Sequence, residues 1–154
     1  MRDRSVAFAA ECAMNALAGT WSYRSFINNP DPVSTPDQAL NIIFGEGELV
    51  ITHASPADGF RATLSFGGDA VMDLAGNVAE AQGTQPLTAT VKGRGRPGGP
   101  VADFAYDYLF YAVPAWPDGI DQRPALVGSV VRVADHGGAK KGATASTITL
   151  KRDA

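Results

Sequence analysis

The spacing of apolar residues changes at Gly19. Before it, Phe8, Cys12 and Ala16 recur every four residues, which predicts a short helix within residues 1–18. After it, short apolar runs are separated by glycine and proline, the punctuation of an all-β chain. Eight such runs emerge, at residues 20–26, 40–53, 60–66, 70–78, 87–94, 104–113, 126–134 and 143–151. Several alternate cleanly: Phe60, Ala62, Leu64 and Phe66 oppose Arg61, Thr63 and Ser65, while Leu87, Ala89 and Val91 oppose Thr88, Thr90 and Lys92. Met72, Leu74 and Val78 likewise share a face. The second run changes parity along its length: Leu40, Ile42 and Phe44 are even, Leu49, Ile51 and His53 odd. A β-bulge at Gly45-Glu46-Gly47 would keep both sets, His53 included, on one apolar face. Residues 104–113 are apolar or aromatic on both faces, which predicts a strand covered on both sides.

Strands in sequential order, joined by short turns, remove their exposed edges by closing on themselves. Eight is about the number that leaves an interior filled by side chains or holding one small ligand. The expected fold is therefore all-β: a single antiparallel up-and-down barrel of about eight strands with a short N-terminal helix, spanning residues 1–154 as one domain. A two-sheet sandwich is the rival. The connections at 28–37 and 114–125 are longer than a meander requires, which makes them candidates for function, the second as a lid.

Gly19-Thr20-Trp21 at the start of the first strand resembles the G-x-W opening of the calycin barrels: lipocalins, fatty-acid-binding proteins and avidins. The resemblance implies a tryptophan closing the barrel floor, with a basic residue of the last strand packed across it. Arg152 fits that role if Ile148 and Leu150, which share its parity, face inward; Lys151 is the alternative for a register shifted by one. The resemblance covers only the two ends of the chain, so no family ligand residues are carried over.

Composition narrows the function classes. With 154 residues, 45% of them hydrophobic, the chain can bury a core without metals or disulfides, and Cys12 is its only cysteine. A formal net charge of −3 disfavours nucleic acid as a partner. No run approaches the length of a membrane-spanning helix. A cytoplasmic location is the simpler expectation, although the first residues, basic and then small and apolar, also read as an atypical secretory signal interrupted by Glu11 and Asn15.

Candidate chemistry concentrates between Tyr106 and Arg123. Tyr106, Asp107, Tyr108, Tyr111, Trp116, Asp118, Asp121 and Arg123 fall close together in the chain, and rings with polar tips suit the mouth of an apolar pocket. The expected ligand contacts are Tyr23, His53, Tyr106, Tyr108, Trp116 and Arg123. Asp107, opposite in parity to Tyr106 and Tyr108, calls for a cationic partner such as Arg123 or Arg132. Only His53 and His136 are present, with no ligand spacing for a metal and nothing to select an axial haem ligand, so no metal or cofactor is expected. There is no G-x-S-x-G elbow, and the glycines around Arg94 and Arg96 lack a phosphate-loop context. Three functions stay open. The first is a binding module for a small apolar or aromatic ligand; the second a barrel-type cyclase or isomerase using Tyr106, Asp107 and Arg123 as acid–base groups. The third is a noncatalytic accessory domain forming a homo-oligomer through strand 104–113.

Overall fold

The computed structural model describes residues 17–27, 34–40, 42–113 and 123–152. The helix expected over 1–18 therefore lies outside the described residues, apart from its last two positions. Eight strands, β1 (Gly19–Ile27), β2 (Ile43–Ser55), β3 (Gly59–Ser65), β4 (Val71–Ala79), β5 (Thr88–Gly95), β6 (Ala105–Val113), β7 (Ala125–Arg132) and β8 (Thr144–Lys151), follow one another around a closed antiparallel barrel. No helix among the described residues is long and apolar enough to cross a membrane. One short helix, α1 (Pro36–Leu40), lies within the connection from β1 to β2, where a loop and then the start of a strand were expected. Its local signal is Thr35-Pro36-Asp37-Gln38. The Thr35 hydroxyl accepts from the Gln38 amide at 3.3 Å, proline takes the first helical position, and the Gln38 side chain reaches back to the Ser34 N–H at 2.9 Å.

Alternation decides what enters the barrel. Trp21, Leu49, Ile51, Phe60, Leu64, Met72, Leu74, Val91, Phe110, Leu126 and Val130 are almost wholly buried and fill the interior. The parity change in β2 is resolved by a bulge, as expected, but next to the glycine triplet: Ser25 pairs with Gly45 and Phe26 with Ile43, leaving Phe44 as the extra residue. A second bulge follows at Thr52, between the pairs Ile51–Ala62 and His53–Arg61. It turns Ala54 into the core and corrects the expectation for His53, which is exposed beside Arg61 on the outer face.

The last strand also runs in the opposite phase from that expected. Trp21 pairs with Lys151, Tyr23 with Thr149 and Ser25 with Thr147, and directly opposed residues of an antiparallel pair point to the same side. Thr147 and Thr149 are therefore inside, whereas Ile148 and Leu150 are 47% and 46% exposed. Arg152 falls outside with them, its guanidinium bonded to Ser22 and Glu48. The basic residue in register with the floor tryptophan is Lys151. Trp21 is fully buried, and its indole N–H donates to the Leu17 carbonyl at 2.9 Å, tying the floor to the chain that precedes β1. β6 also differs from expectation: Tyr106, Tyr108 and Phe110 are buried inside, but its outer face is partly open, with Tyr111 and Val113 exposed.

Where neighbouring strands approach most closely, a side chain has no room. A Cβ on Gly128 would lie 1.7 Å from the Leu109 carbonyl oxygen, a backbone atom that cannot swing aside. Gly128→Ala is expected to destabilise the protein by about 2–3 kcal/mol in chemical denaturation, with Ser129→Ala within about 0.5 kcal/mol of wild type; equal effects would disprove the steric account. Thr149 presents the reverse case. Its hydroxyl is buried with no hydrogen-bond partner among the described residues, so Thr149→Val should raise stability by about 1 kcal/mol. A loss of stability would mean that the hydroxyl is satisfied by water in solution.

Candidate functional site

An up-and-down barrel has two chemically separate ends. At one lie Trp21, the end of β8 and the start of β7; at the other lie the β1–β2, β3–β4, β5–β6 and β7–β8 connections. The floor end is sealed by Trp21. The opposite end opens into a cavity of about 130 Å3 lined by Tyr23, Ser25, Phe44, Gly45, Phe66, Phe104, Tyr106, Tyr108 and Val130.

Each lining group is placed by strand parity. Tyr23 and Ser25 follow Trp21 along the inner face of β1, and Tyr106 and Tyr108 alternate along β6. The bulge at Phe44 swings its ring inward at the rim. Gly93 makes room for Tyr108, since a Cβ there would come within 2.9 Å of the tyrosine Cε2. The rings then meet mainly edge to face: Tyr23 with Tyr108 at 6.0 Å, Phe44 with Tyr106 at 6.1 Å, and Phe104 with both Phe66 and Tyr106 at 6.3 and 5.8 Å. Such arrangements set the positive edge of one ring against the negative face of another.

Polar groups occur at two depths. At the rim, the Tyr106 hydroxyl accepts from Arg132 Nε at 3.1 Å and stands 2.7 Å from His136 Nε2. A hydroxyl accepting from arginine has its own proton to give to the imidazole. His136 is stacked on Phe104 at 4.0 Å, and the Arg132 guanidinium carbon lies 5.1 Å and 5.7 Å from the Phe44 and Tyr106 ring centroids. Deeper inside, burial pushes the Tyr23 hydroxyl up to about 12, with the neighbouring Ser25 and Tyr108 hydroxyls offsetting only part of the shift. Burial raises Tyr108 well above the usual phenol range, and Tyr23 beside it adds to the effect. Both are neutral hydroxyls at physiological pH, able to orient a polar group but not to serve as ready bases.

Of the residues expected to contact a ligand, Tyr23, Tyr106 and Tyr108 come together in the cavity. His53 is on the outer wall. Arg123 is at the floor end, where it donates to the Lys151 and Arg152 carbonyls. Its nearness to Tyr106 in the chain misled because β6 crosses the barrel: Tyr106 and Val113 are separated by roughly 23 Å of extended strand. The connection after Val113 thus starts at the floor end, and a lid over the cavity at 114–125 is not where the topology puts that loop's origin. Trp116 and most of that connection lie outside the described residues. Asp107 faces outward and pairs with Arg94 at 3.4 Å, rather than with Arg123 or Arg132, its carboxylate half exposed. Tyr106, Asp107 and Arg123 are thus not assembled as an acid–base group.

Phe104, Arg132 and His136 complete the rim and were not among the expected contacts. Arg132 continues the inner parity of Leu126 and Val130, a signal present in the sequence; His136 reaches Tyr106 through the β7–β8 turn, which parity does not describe. Among the described residues no three histidine, cysteine or acidic side chains converge as a metal site.

The barrel is consistent with a calycin-like fold. Compared with known protein families, curated proteins and solved structures, the chain matches none.

The buried phenols make stability depend on alkaline pH. Below pH 10 folded and unfolded chains hold the same phenolic protons; between pH 10 and about 12 the unfolded chain releases protons that folded Tyr23 retains. Stability should therefore fall through that window by about 1.4 kcal/mol per pH unit for each such tyrosine. Denaturant midpoints measured from pH 9 upward should decline less steeply in Tyr23→Phe and in Tyr108→Phe; slopes identical to wild type would refute the assignment.

Proposed function

We propose that the protein is a small-molecule binding module that takes an apolar or aromatic ligand of single-ring size into the open end of its barrel. The observation that carries this reading is the cavity itself, concave, lined mainly by aromatic rings and furnished with a few fixed hydroxyls, as ligand sites generally are. Its size sets the class. An apolar cavity of about 150 Å3 accommodates one benzene ring, so about 130 Å3 open at the rim suits one ring with a substituent directed outward. A long acyl chain would require the rest of the interior, which Trp21, Phe60, Leu64, Met72 and Phe110 already fill. The cyclase or isomerase alternative loses support because Asp107 and Arg123 are outside the cavity. The oligomer alternative retains only Tyr111 and Val113 as exposed large apolar groups on the aromatic strand, since Tyr108 and Phe110 are inside.

Two-dimensional amide NMR with benzyl alcohol and, separately, dodecanoate tests the proposal. Benzyl alcohol should bind with a Kd on the order of 1 mM, shifting amides of Ser25, Gly45, Tyr106 and Tyr108, while dodecanoate leaves them unmoved. Gly45→Leu directs a side chain into the cavity from a position where a Cβ meets only the Ser25 hydroxyl at 3.4 Å and the Phe66 ring at 4.0 Å. This variant should fold and lose benzyl alcohol binding. Binding that survives the filled cavity would place the ligand elsewhere and defeat the proposal.

A further inference from the structure

Resting on the ligand-binding role proposed above, we propose that the molecule held in the cavity is a small aromatic carboxylate, its ring among Phe44, Tyr106 and Tyr108 and its carboxylate on the Arg132 guanidinium at the rim. Three observations converge on Arg132. The first is position. It is the last residue of β7, in register with Tyr106 and of the same inward parity as Leu126 and Val130, so its side chain rises from the inner wall at the open end. Its guanidinium lies against the faces of Phe44 and Tyr106, both of which line the cavity.

The second is charge. Among the described residues Arg24 pairs with Glu46, Arg94 with Asp107, Arg96 with Asp73, Lys140 with Asp135 and Arg152 with Glu48. Arg132 has no carboxylate partner there. The acid nearest to it in sequence, Asp135, is engaged with Lys140 and with the Lys141 backbone N–H, which it accepts at 2.7 Å.

The third is an unused donor. Arg132 Nε donates to the Tyr106 hydroxyl, and one Nη donates to the Lys140 carbonyl at 3.1 Å. These two bonds, with the flanking rings, hold the guanidinium plane in place and leave its second Nη without a hydrogen-bond acceptor among the described residues. A fixed, weakly hydrated guanidinium beside apolar surface is well suited to a carboxylate. The nine lining residues include no ionised side chain, and Arg132 stands beside two of them, Phe44 and Tyr106, so a charged substituent has one favourable orientation, outward toward Arg132, with the ring inward. His136 acts as a positioning residue: stacked on Phe104, it holds the Tyr106 hydroxyl that in turn holds Arg132.

Isothermal titration of the full chain with benzoate, benzyl alcohol and acetate separates ring from charge. Benzoate should bind at least about tenfold more tightly than benzyl alcohol, the increment of a charge-assisted hydrogen bond, and acetate should bind more weakly than either. In Arg132→Gln, the preference for benzoate over benzyl alcohol should disappear; Arg132→Lys, which keeps the charge without the planar fork, should recover part of it. Should these variants fail to fold, the Arg132 Nε–H resonance of the unmodified protein decides: it must move with benzoate and stay still with benzyl alcohol. Equal affinity for benzoate and benzyl alcohol, or an unshifted Arg132 resonance, would overturn the charge assignment while leaving a ring-binding cavity. Acetate binding as tightly as benzoate would reduce the site to a rim for simple anions. Binding of none of the three would remove the cavity's role altogether.

Discussion

The backbone pairing of β1 with β8, from Trp21 opposite Lys151 to Ile27 opposite Ala145, joins the two ends of the described chain and turns a sheet into a barrel. Without it, Trp21, Tyr23 and Ser25 would lie along an open edge, with unpaired N–H and C=O groups beside them. With it, inward parity passes from each strand to the next around the ring. Because a slip of one residue would exchange the two faces of a strand, this single register determines that Thr147 and Thr149 are inside and Ile148, Leu150 and Arg152 outside. Those threonines occupy a wall where aliphatic side chains would have been expected, and their position follows from pairing rather than hydropathy.

Closure also limits what the interior can contain. Eight strands enclose little more than their own side chains, and large inward residues are accommodated by small ones nearby: Tyr108 over Gly93, the β6 backbone against Gly128, Phe44 and Phe66 around Gly45. Trp21, Leu64, Met72 and Phe110 are fully buried, and the cavity opens near the rim. The cavity is therefore a local consequence of aromatic rings too rigid to collapse onto one another, placed above a filled core.

Much of this was legible in the sequence. Period-two alternation in 60–66, 70–78 and 87–94 gave strands and inward faces, and consecutive short strands gave the closed meander. The parity break in residues 40–53 located a bulge to within a residue. The errors share a cause. For His53 and Arg152, parity and hydropathy extend past a point where the geometry changes, a second bulge at Thr52 in one case and a last strand lined by threonine in the other. Asp107 needs a cation, but the one it finds, Arg94, is a diagonal neighbour on β5, and only the pairing register reveals it. For the site, Tyr23, Tyr106 and Tyr108 were legible as inward rings, whereas Arg123 was included by nearness in the chain, which an antiparallel strand converts into distance.

The same geometry explains why chemistry gathers at one end. The turns and loops at the open end bring residues from β1, β2, β3, β6 and β7 to one rim, so Phe44, Phe66, Phe104, Arg132 and His136, far apart in sequence, become neighbours. Several charges elsewhere are placed outward and paired across neighbouring strands, as Arg24 is with Glu46, Arg94 with Asp107 and Arg96 with Asp73. Arg132 differs in its place: inward parity at the rim sets its guanidinium over the Phe44 and Tyr106 rings rather than on the outer wall. Guanidinium and rings stabilise each other there through cation–π contact, and the guanidinium keeps one Nη without an acceptor among the described residues, beside the two rings that line the cavity.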